Sequence, residues 1–294
     1  MKRLYLKFFD VVWEETRQEP IPVSVVNFQS TPPPELEIVP TVFLTNDVLK
    51  RLSPNQVGDL AGKTLGKIES LRKSAHIDPI NEVQLDCDWT TGTRDKYFQM
   101  LRSIRTELHR RNVKLSATIR LHQIKYRERT GVPPVDRGML MFYNMASPVD
   151  PSVQNSIIDW KIAHRYTERL NQYPLGLDLA LPIYSWGVLF EDQRFIALID
   201  GLRREDLQDR SRFGIVGSNR YQVKRDSYLL GERIHHGDTI RFETSEATVC
   251  SQAARDLSKR IPGNNIYVSL FHYDPKVIGG FGREETRRIF SAFR

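Results

Sequence analysis

The stretch Val83–Trp89 (VQLDCDW) predicts a buried β-strand that ends in two acidic residues and an indole. Alternation along a strand places Asp86 and Asp88 on the same face. Two carboxylates at a strand end are costly to bury, so they normally meet water, a base, a metal or a substrate. Trp89 offers a flat apolar face of the kind that stacks on a sugar ring. The alternative is an ion pair between these carboxylates and one of the arginines of the chain.

Apolar strand-like runs recur along the 294-residue chain and alternate with amphipathic segments. Besides the strand that contains Asp86, we predict strands at Arg3–Asp10, Pro40–Asn46, Lys114–Leu121, Gly138–Asn144, Leu177–Tyr184, Thr239–Thr244 and Ile266–Tyr273. The predicted helices are Ser53–Ser74, Arg94–Arg111, Ser152–Gln172, Ser245–Lys259 and Glu284–Ala292. This order predicts an α/β fold, a single (β/α)8 TIM barrel over residues 1–294. Residues 191–238, between strands six and seven, form a small insertion that contains a short helix at Phe195–Leu202.

Composition and charge limit the classes of function. The net charge is +7, but basic residues are interspersed with acidic ones, which favours a solvated surface over a nucleic-acid groove. The two cysteines, Cys87 and Cys250, lie in apolar contexts typical of inert buried thiols, and no cofactor or metal is expected.

No run approaches the ~20 apolar residues of a membrane span. The first residues do not resemble a signal peptide, so we expect a cytoplasmic protein, or a cell-envelope or secreted one if a leader was removed. The sequence does not indicate an oligomeric state.

Every predicted strand ends in a polar or aromatic residue. In a barrel of this kind, the C-terminal ends of the strands build the active site, so these residues predict a ligand site. The candidate substrate-binding residues are Asp10, Trp89, Arg120, His122, Tyr143, Asn144, Tyr184, Trp186, His272 and Asp274. Arginines on barrel-lining faces imply acidic partners, and we predict that Arg120 pairs with Asp86 or Asp88.

Three segments resemble retaining glycoside hydrolases of the chitinase-like barrel class. Leu85–Thr90 (LDCDWT) is similar to the D-x-D-x-E strand of that class, Met141–Met145 (MFYNM) to its M-x-Y-D strand, and Leu179–Gly187 (LALPIYSWG) to its G-L-P-x-Y-G strand. The whole chain also resembles an uncharacterised bacterial family of glycoside-hydrolase-like barrels that share the strings QLDCDWT and GVPPVDRGMLMFYNM. The resemblance implies a carbohydrate ligand and hydrolysis of a poly- or oligosaccharide.

The chain departs from the pattern of that class at the catalytic positions. Thr90 stands where the class has its catalytic acid, and Asn144 replaces an aspartate. A hydrolase would therefore need another acid, with Glu243 the first candidate and Asp88 the second. The other of these two residues would act as nucleophile or base, and Asp86 would orient its partner and raise its pKa.

Several alternatives remain at the sequence level. A catalytically inactive sugar-binding barrel explains Thr90 directly. A phosphate site at Gly279–Gly282 is weakened by Glu284 and Glu285, which occupy the first turn of the following helix and would repel an anion. A metal hydrolase would draw on aspartates and histidines already named, and no H-E-x-x-H pair is present. A serine or cysteine nucleophile has no supporting motif.

Overall fold

The computed structural model describes residues 2–263, 265–273, 279 and 281–293. The chain divides into two compact units. The first consists of Met1–Leu140 and Gln172–Asp178, and the second of Met141–Asn171 and Leu179–Arg294. The single-domain organisation over residues 1–294 stays a prediction.

The described residues contain strands and helices of mixed α/β type. The strands are β1 (Arg3–Glu14), β2 (Glu19–Val23), β3 (Glu37–Leu44), β4 (Glu82–Cys87), β5 (Lys114–Arg120), β6 (Arg137–Met141), β7 (Leu177–Pro182), β8 (Ser185–Glu191), β9 (Arg194–Asp200), β10 (Phe213–Ile215), β11 (Arg220–Val223), β12 (Ser227–Leu229), β13 (Glu232–Ile234), β14 (Thr239–Thr244) and β15 (Val268–Phe271). The α-helices are α1 (Asn46–Arg51), α2 (Pro54–Ser74), α3 (Arg94–His109), α4 (Leu121–Lys125), α5 (Arg127–Thr130), α6 (Trp160–Thr167), α7 (Ala247–Ser258) and α8 (Arg283–Ser291). Within the described ranges, no helix combines the length and apolar character needed to cross a membrane.

Eight strands form the principal sheet, in the hydrogen-bonded order β15-β7-β6-β5-β4-β3-β1-β2. Parallel pairing joins β1 to β3, β3 to β4, β4 to β5 and β7 to β15, whereas β2 returns antiparallel to β1. In the first unit, α2 starts at Pro54, and the Oε1 atom of Gln56 accepts a hydrogen bond from the Ser53 amide over 2.9 Å. Proline at the first helical position and this reciprocal cap fix the beginning of the helix.

The second unit contains a separate five-stranded sheet in the order β10-β11-β14-β8-β9. Each strand in this order pairs antiparallel with its neighbour. One face of this sheet buries an apolar cluster that includes Leu189, Ile199, Phe213 and Ile240. The other face carries Arg241 and Glu243, as alternation along β14 requires.

The α/β class and the sheet-with-helices architecture are confirmed, but some predicted elements are wrong. Thr239–Thr244, predicted as the seventh barrel strand, lies instead in the five-stranded sheet, where it pairs antiparallel with β8. Its alternation of apolar and charged residues is typical of an antiparallel sheet, not of a strand buried on both faces. Most of the helix predicted at Phe195–Leu202 lies instead in strand β9 (Arg194–Asp200), because short apolar runs fit either period. Of the helix predicted at Ser152–Gln172, only α6 and a short 3-10 turn form.

Candidate functional site

Strands β4 and β5 share a polar face in the first unit. The Nε2 atom of Gln84 donates to Ser116 Oγ over 3.3 Å, and Thr118 Oγ1 donates to Asp86 Oδ1 over 2.6 Å. Gln84 and Asp86 are two residues apart on β4, and their partners Ser116 and Thr118 are two apart on β5. The bonded side chains therefore lie on one face, as the predicted alternation along β4 requires. Thr118 was not among the predicted site residues, although its parity with Arg120 on β5 would have indicated the same face.

The Asp86 carboxyl lies deep in this polar face. Burial raises its pKa above the ordinary value, the Asp10 carboxylate raises it further, and Thr118 and Arg120 act in the opposite direction. Lys7 Nζ contacts Asp10 Oδ2 at 2.9 Å, while Asp10 Oδ1 is buried and accepts no hydrogen bond from the described residues. The structure therefore brings two predicted carboxylates into one electrostatic environment.

Asp88 and Arg120 form an ion pair through the Arg120 Nε atom, which confirms the predicted pairing of this arginine. The Asp88 side chain is 46% exposed and the Arg120 side chain 24% exposed, so the pair lies at the solvent boundary. His122, two residues further on, is solvent-exposed; partial desolvation lowers its pKa first, and the neighbouring guanidinium lowers it further. The Asp88 carboxylate is therefore already paired with a cation, the Arg120 guanidinium.

Trp89 packs in the core instead of facing a ligand. The residue is only 1% exposed, and its ring stacks on Tyr97 with centroids 5.2 Å apart. Its Nε1 atom donates to the Thr130 carbonyl over 2.9 Å. The predicted role in sugar stacking is therefore not supported by this geometry, because both faces of the indole are covered.

Residue 90 belongs to the turn that leads into α3. The Thr90 amide donates to Thr93 Oγ1 over 3.0 Å, and Thr93 Oγ1 in turn donates to Asn46 Oδ1 over 2.5 Å. Thr90 is exposed. The position that carries an acid in chitinase-like strands thus holds a hydroxyl that cannot protonate a glycosidic oxygen.

Aromatic rings cluster at the ends of β7 and β15 in the second unit. The rings of Tyr143 and Phe271 stack with centroids 4.7 Å apart and an interplanar angle of 3°, and the rings of Tyr184 and His272 lie 5.6 Å apart at 13°. Phe271 is 42% exposed, whereas Tyr143 is buried. Phe271 was not among the predicted site residues, because an apolar residue at a strand end carries no polar signal. Asp274, predicted to bind substrate, lies outside the described residues.

Asn144 and Tyr184 are joined in the same cluster. The Tyr184 hydroxyl donates to Asn144 Oδ1 over 2.6 Å. Asn144 is exposed and has a positive φ of 53°, a conformation that asparagine tolerates better than most residues. The amide nitrogen of Asn144 therefore remains a donor on an exposed residue beside aromatic rings.

Glu243 is buried and accepts four hydrogen bonds. Arg241 Nε donates to Oε1 over 2.6 Å. The other oxygen, Oε2, accepts from the Ser156 amide at 2.8 Å, the Ser156 hydroxyl at 2.5 Å and Trp186 Nε1 at 2.9 Å. With 1% exposure and both oxygens occupied, Glu243 cannot reach a glycosidic bond, so its predicted role as general acid is not supported.

The second sheet holds the segment 147–156, here called the anchored loop, by its backbone. Arg241 donates to the carbonyls of Pro148 and Asp150, both over 2.8 Å. Further carbonyls of the loop accept from Arg220 and Asn219: those of Pro151, Val153 and Gln154. Asn155 Nδ2 returns a bond to the Thr244 carbonyl over 2.9 Å. These contacts explain why residues 152–156, the start of the helix predicted at Ser152–Gln172, belong to a loop instead.

The remaining candidate chemistries gain no support from the described residues. Within them, no three His, Cys, Asp or Glu side chains come close enough to hold a metal ion. Cys87 and Cys250 are buried free thiols, and burial raises the pKa of Cys250 to about 12. Glu284 and Glu285 occupy the first turn of α8 and pair with Arg288, which disfavours an anion there.

Solved structures of chitinases and a chitinase-like protein resemble the chain. A chitinase from Chromobacterium violaceum has a TM-score of 0.59 at 12% identity, over 99% of this chain and 91% of that one. The fold is chitinase-like. A chitinase-like agglutinin from Robinia pseudoacacia has a TM-score of 0.58 at 10% identity, over 100% and 93% of the two chains. The Group IV chitinase of Ostrinia furnacalis has a TM-score of 0.54 at 11% identity, over 88% and 79%. No protein-family model and no curated protein matches the sequence.

Proposed function

We propose that this chain is a carbohydrate-binding barrel protein that does not hydrolyse glycosidic bonds. The observation that carries the proposal is the state of the three acid positions. Thr90 has no carboxyl group, Asp88 is paired with Arg120, and Glu243 is buried among four donors.

Each of these three states leaves a requirement of glycoside hydrolysis unmet. A general acid must hold a proton within hydrogen-bond reach of the leaving oxygen. Asp88 is in contact with a guanidinium, where a hydrolase would have a glycosidic oxygen. Glu243 has both carboxylate oxygens engaged as acceptors and no exposed surface from which to donate.

The aromatic cluster of the second unit supports the binding part of the proposal. Phe271 is half-exposed and is backed by the parallel ring of Tyr143, so it offers a flat apolar face of fixed orientation. The Asn144 amide, which is bonded to Tyr184 of the same cluster, adds polar groups that fix orientation. The similar structures are chitinases and a chitinase-like agglutinin, so chitin oligosaccharides are the first ligand class to test.

The test measures binding and turnover by the same purified protein. Isothermal titration with chitin oligosaccharides and with a panel of neutral and acidic glycans measures affinity, and release of nitrophenol from aryl glycosides measures turnover. We expect affinity without turnover, and a loss of about tenfold or more in affinity for Phe271→Ala, because stacked rings contribute about 1–3 kcal/mol. The matched control is Tyr228→Ala, an aromatic residue that is 68% exposed elsewhere in the second unit.

A hydrolase that uses Asp86 is the second candidate. Its support is the raised pKa of the Asp86 carboxyl, since a general acid near neutral pH needs such a shift. In that case the wild-type protein releases nitrophenol, and Asp86→Asn abolishes the release while Thr118→Val only alters its pH profile. Absence of both binding and turnover across the panel contradicts both candidates.

A further inference from the structure

A cleft of about 570 Å³ lies in the first unit between α2, α3 and the start of β4. This α2–α3 cleft is lined by residues that include Gly62, Leu65, Gly66, Ile68, Val83 and Leu108. Its floor is apolar, since Ile68, Val83 and Leu108 are all buried. Pockets for small organic molecules typically measure about 300–1,000 Å³ and have such a lining. The cleft lies at the opposite end of β4 from Asp86, so it is separate from the polar face described above.

Two glycines leave the α2 wall of the cleft without side chains. Gly62 and Gly66 are four residues apart, so they lie on the same face of the helix. A Cβ atom built at either position would meet no heavy atom of the described residues within 4 Å. Close packing of the chain therefore does not require glycine here. The open space allows a ligand to pack directly on the backbone of α2.

Three cations surround one carboxylate at the mouth of the cleft. Glu69 accepts two hydrogen bonds from Arg72, both over 2.7 Å, and Lys73 Nζ lies 3.3 Å from Glu69 Oε1. Arg111 Nη1 is 3.7 Å from Glu69 Oε2, which is beyond hydrogen-bonding distance. The Arg111 side chain is also 65% exposed. Its guanidinium is therefore the cation at the mouth that can best accept an anionic partner.

The other charges near the mouth leave a positive excess. Asp78 Oδ1 lies 3.5 Å from Arg72, and Glu107 is paired with Arg110 over 2.7 Å. The groups named here and above thus sum to four cations against three carboxylates. The C-terminal ends of α2 and α3 would add partial negative charge. However, five carbonyls at these ends accept hydrogen bonds from backbone amides that follow them: those of Leu71, Arg72, Lys73, Leu108 and His109.

We propose that the α2–α3 cleft binds a small organic anion, namely an aryl or alkyl carboxylate or sulfonate. Its apolar body packs on Gly62, Gly66 and the buried floor, which removes apolar surface from water. Its charged group pairs with Arg111, whose planar guanidinium suits such oxygens. Barrel enzymes carry out their reactions at the C-terminal ends of the strands, and this cleft lies at the N-terminal ends. The ligand is therefore bound here without being transformed.

The test compares two fluorescent probes that share one aromatic body. Anilinonaphthalene sulfonate carries an anionic group, and phenylnaphthylamine is the same body without it. Fluorescence titration of the full chain with each probe measures the two dissociation constants. We expect the anionic probe to bind about tenfold or more tightly than the neutral one, because a hydrogen bond to a charged group adds to the apolar contact. Phe271→Ala, which alters the proposed glycan site, should leave both constants unchanged.

Gly66→Leu tests whether the probes occupy the cleft. The leucine side chain fills the space above α2, so both probes should bind about tenfold or more weakly. The matched control is Gly58→Leu on the same face of the helix, where a Cβ atom also meets no described heavy atom within 4 Å. Gly58 lies outside the lining, so this variant should bind as wild type does. Circular dichroism should show both variants folded, because leucine is a better helix former than glycine.

Arg111→Gln tests the charged group and does not alter the apolar wall. It should bring the affinity for the anionic probe to within about threefold of that for the neutral probe. Arg102→Gln removes the same charge from an exposed position of α3 outside the lining and should preserve the wild-type preference. Absence of binding of the anionic probe at up to about 1 mM overturns the proposal. So does an Arg111→Gln protein that keeps the full preference for the anion, or equal binding by folded Gly66→Leu and Gly58→Leu proteins.

Discussion

Arg241 and Glu243 form an ion pair in which neither side chain has any exposed surface. They stand two residues apart on one face of β14, so the pair is local in sequence but is completed by distant partners. Glu243 also accepts from Ser156, and Arg241 donates to the carbonyls of Pro148 and Asp150. Glu243, predicted from the sequence as a general acid, therefore fixes the anchored loop to the five-stranded sheet.

We expect Glu243→Gln to lower the free energy of unfolding without removing a catalytic group. The substitution leaves the buried guanidinium of Arg241 without its anion, which costs about 3 kcal/mol or more in the free energy of unfolding. Urea denaturation followed by circular dichroism measures the change. The matched control is Glu284→Gln, which removes an exposed pair with Arg288 and should change stability by less than about 1 kcal/mol. Equal stabilities of the two variants would contradict a structural role for Glu243.

Trp89→Phe should lower stability and leave glycan affinity unchanged. The variant loses the hydrogen bond to the Thr130 carbonyl and part of the stack on Tyr97, at an expected cost of about 1–3 kcal/mol. Thermal unfolding and isothermal titration of the same preparation measure the two quantities. If affinity falls while stability is unchanged, Trp89 contacts the sugar as the sequence first suggested.

Asp86→Asn should gain stability relative to wild type as the pH rises. The folded-state pKa of Asp86 is raised, so the folded protein holds this proton more tightly than the unfolded chain does. The wild-type protein therefore loses stability as pH rises from about 4, the unfolded carboxyl value, through the folded-state pKa. Asparagine keeps an acceptor for Thr118 and does not ionise. Unfolding free energies of both proteins between about pH 4 and 8 test this, and a difference independent of pH would contradict it.

Asp136→Asn should show the opposite dependence. Burial alone would raise the pKa of Asp136, but the Leu115 amide, His109 and Arg105 outweigh it and lower the pKa. Ionised Asp136 thus contributes stability that is present above the unfolded carboxyl pKa and is lost as pH falls through the folded value. We expect a deficit of about 1–3 kcal/mol near neutral pH that shrinks in acid. A deficit that does not change with pH would contradict this assignment.

The local geometry of the first unit could be predicted from the sequence because it depends on strand alternation. Asp86 and Asp88 share a face, and Arg120 meets Asp88, as expected. The same alternation also places Trp89 with Leu85 and Cys87 on the core side. The sequence therefore already contained the pattern of a buried Trp89, although an indole beside two carboxylates is also typical of a sugar site.

The surroundings of Glu243 could not be predicted in the same way. The burial and hydrogen bonding of its carboxylate depend on Ser156, which lies 87 positions away along the chain, and on the antiparallel pairing of β14 with β8. Hydrophobic spacing in a single segment carries no information on which strand will be its neighbour. Phe271 was missed for a related reason, since its exposure follows from the strands around it and not from its own residue type.

The anchored loop is held mainly through main-chain carbonyls, which every residue type possesses. Arg220 and Arg241 would therefore hold the segment almost regardless of the exposed side chains at Val149 and Gln154. Substitutions at those positions are free to accumulate as long as the two arginines are kept. The loop is thus a place where related proteins could diverge in surface chemistry while the scaffold beneath stays constant, and it is a natural site for random libraries.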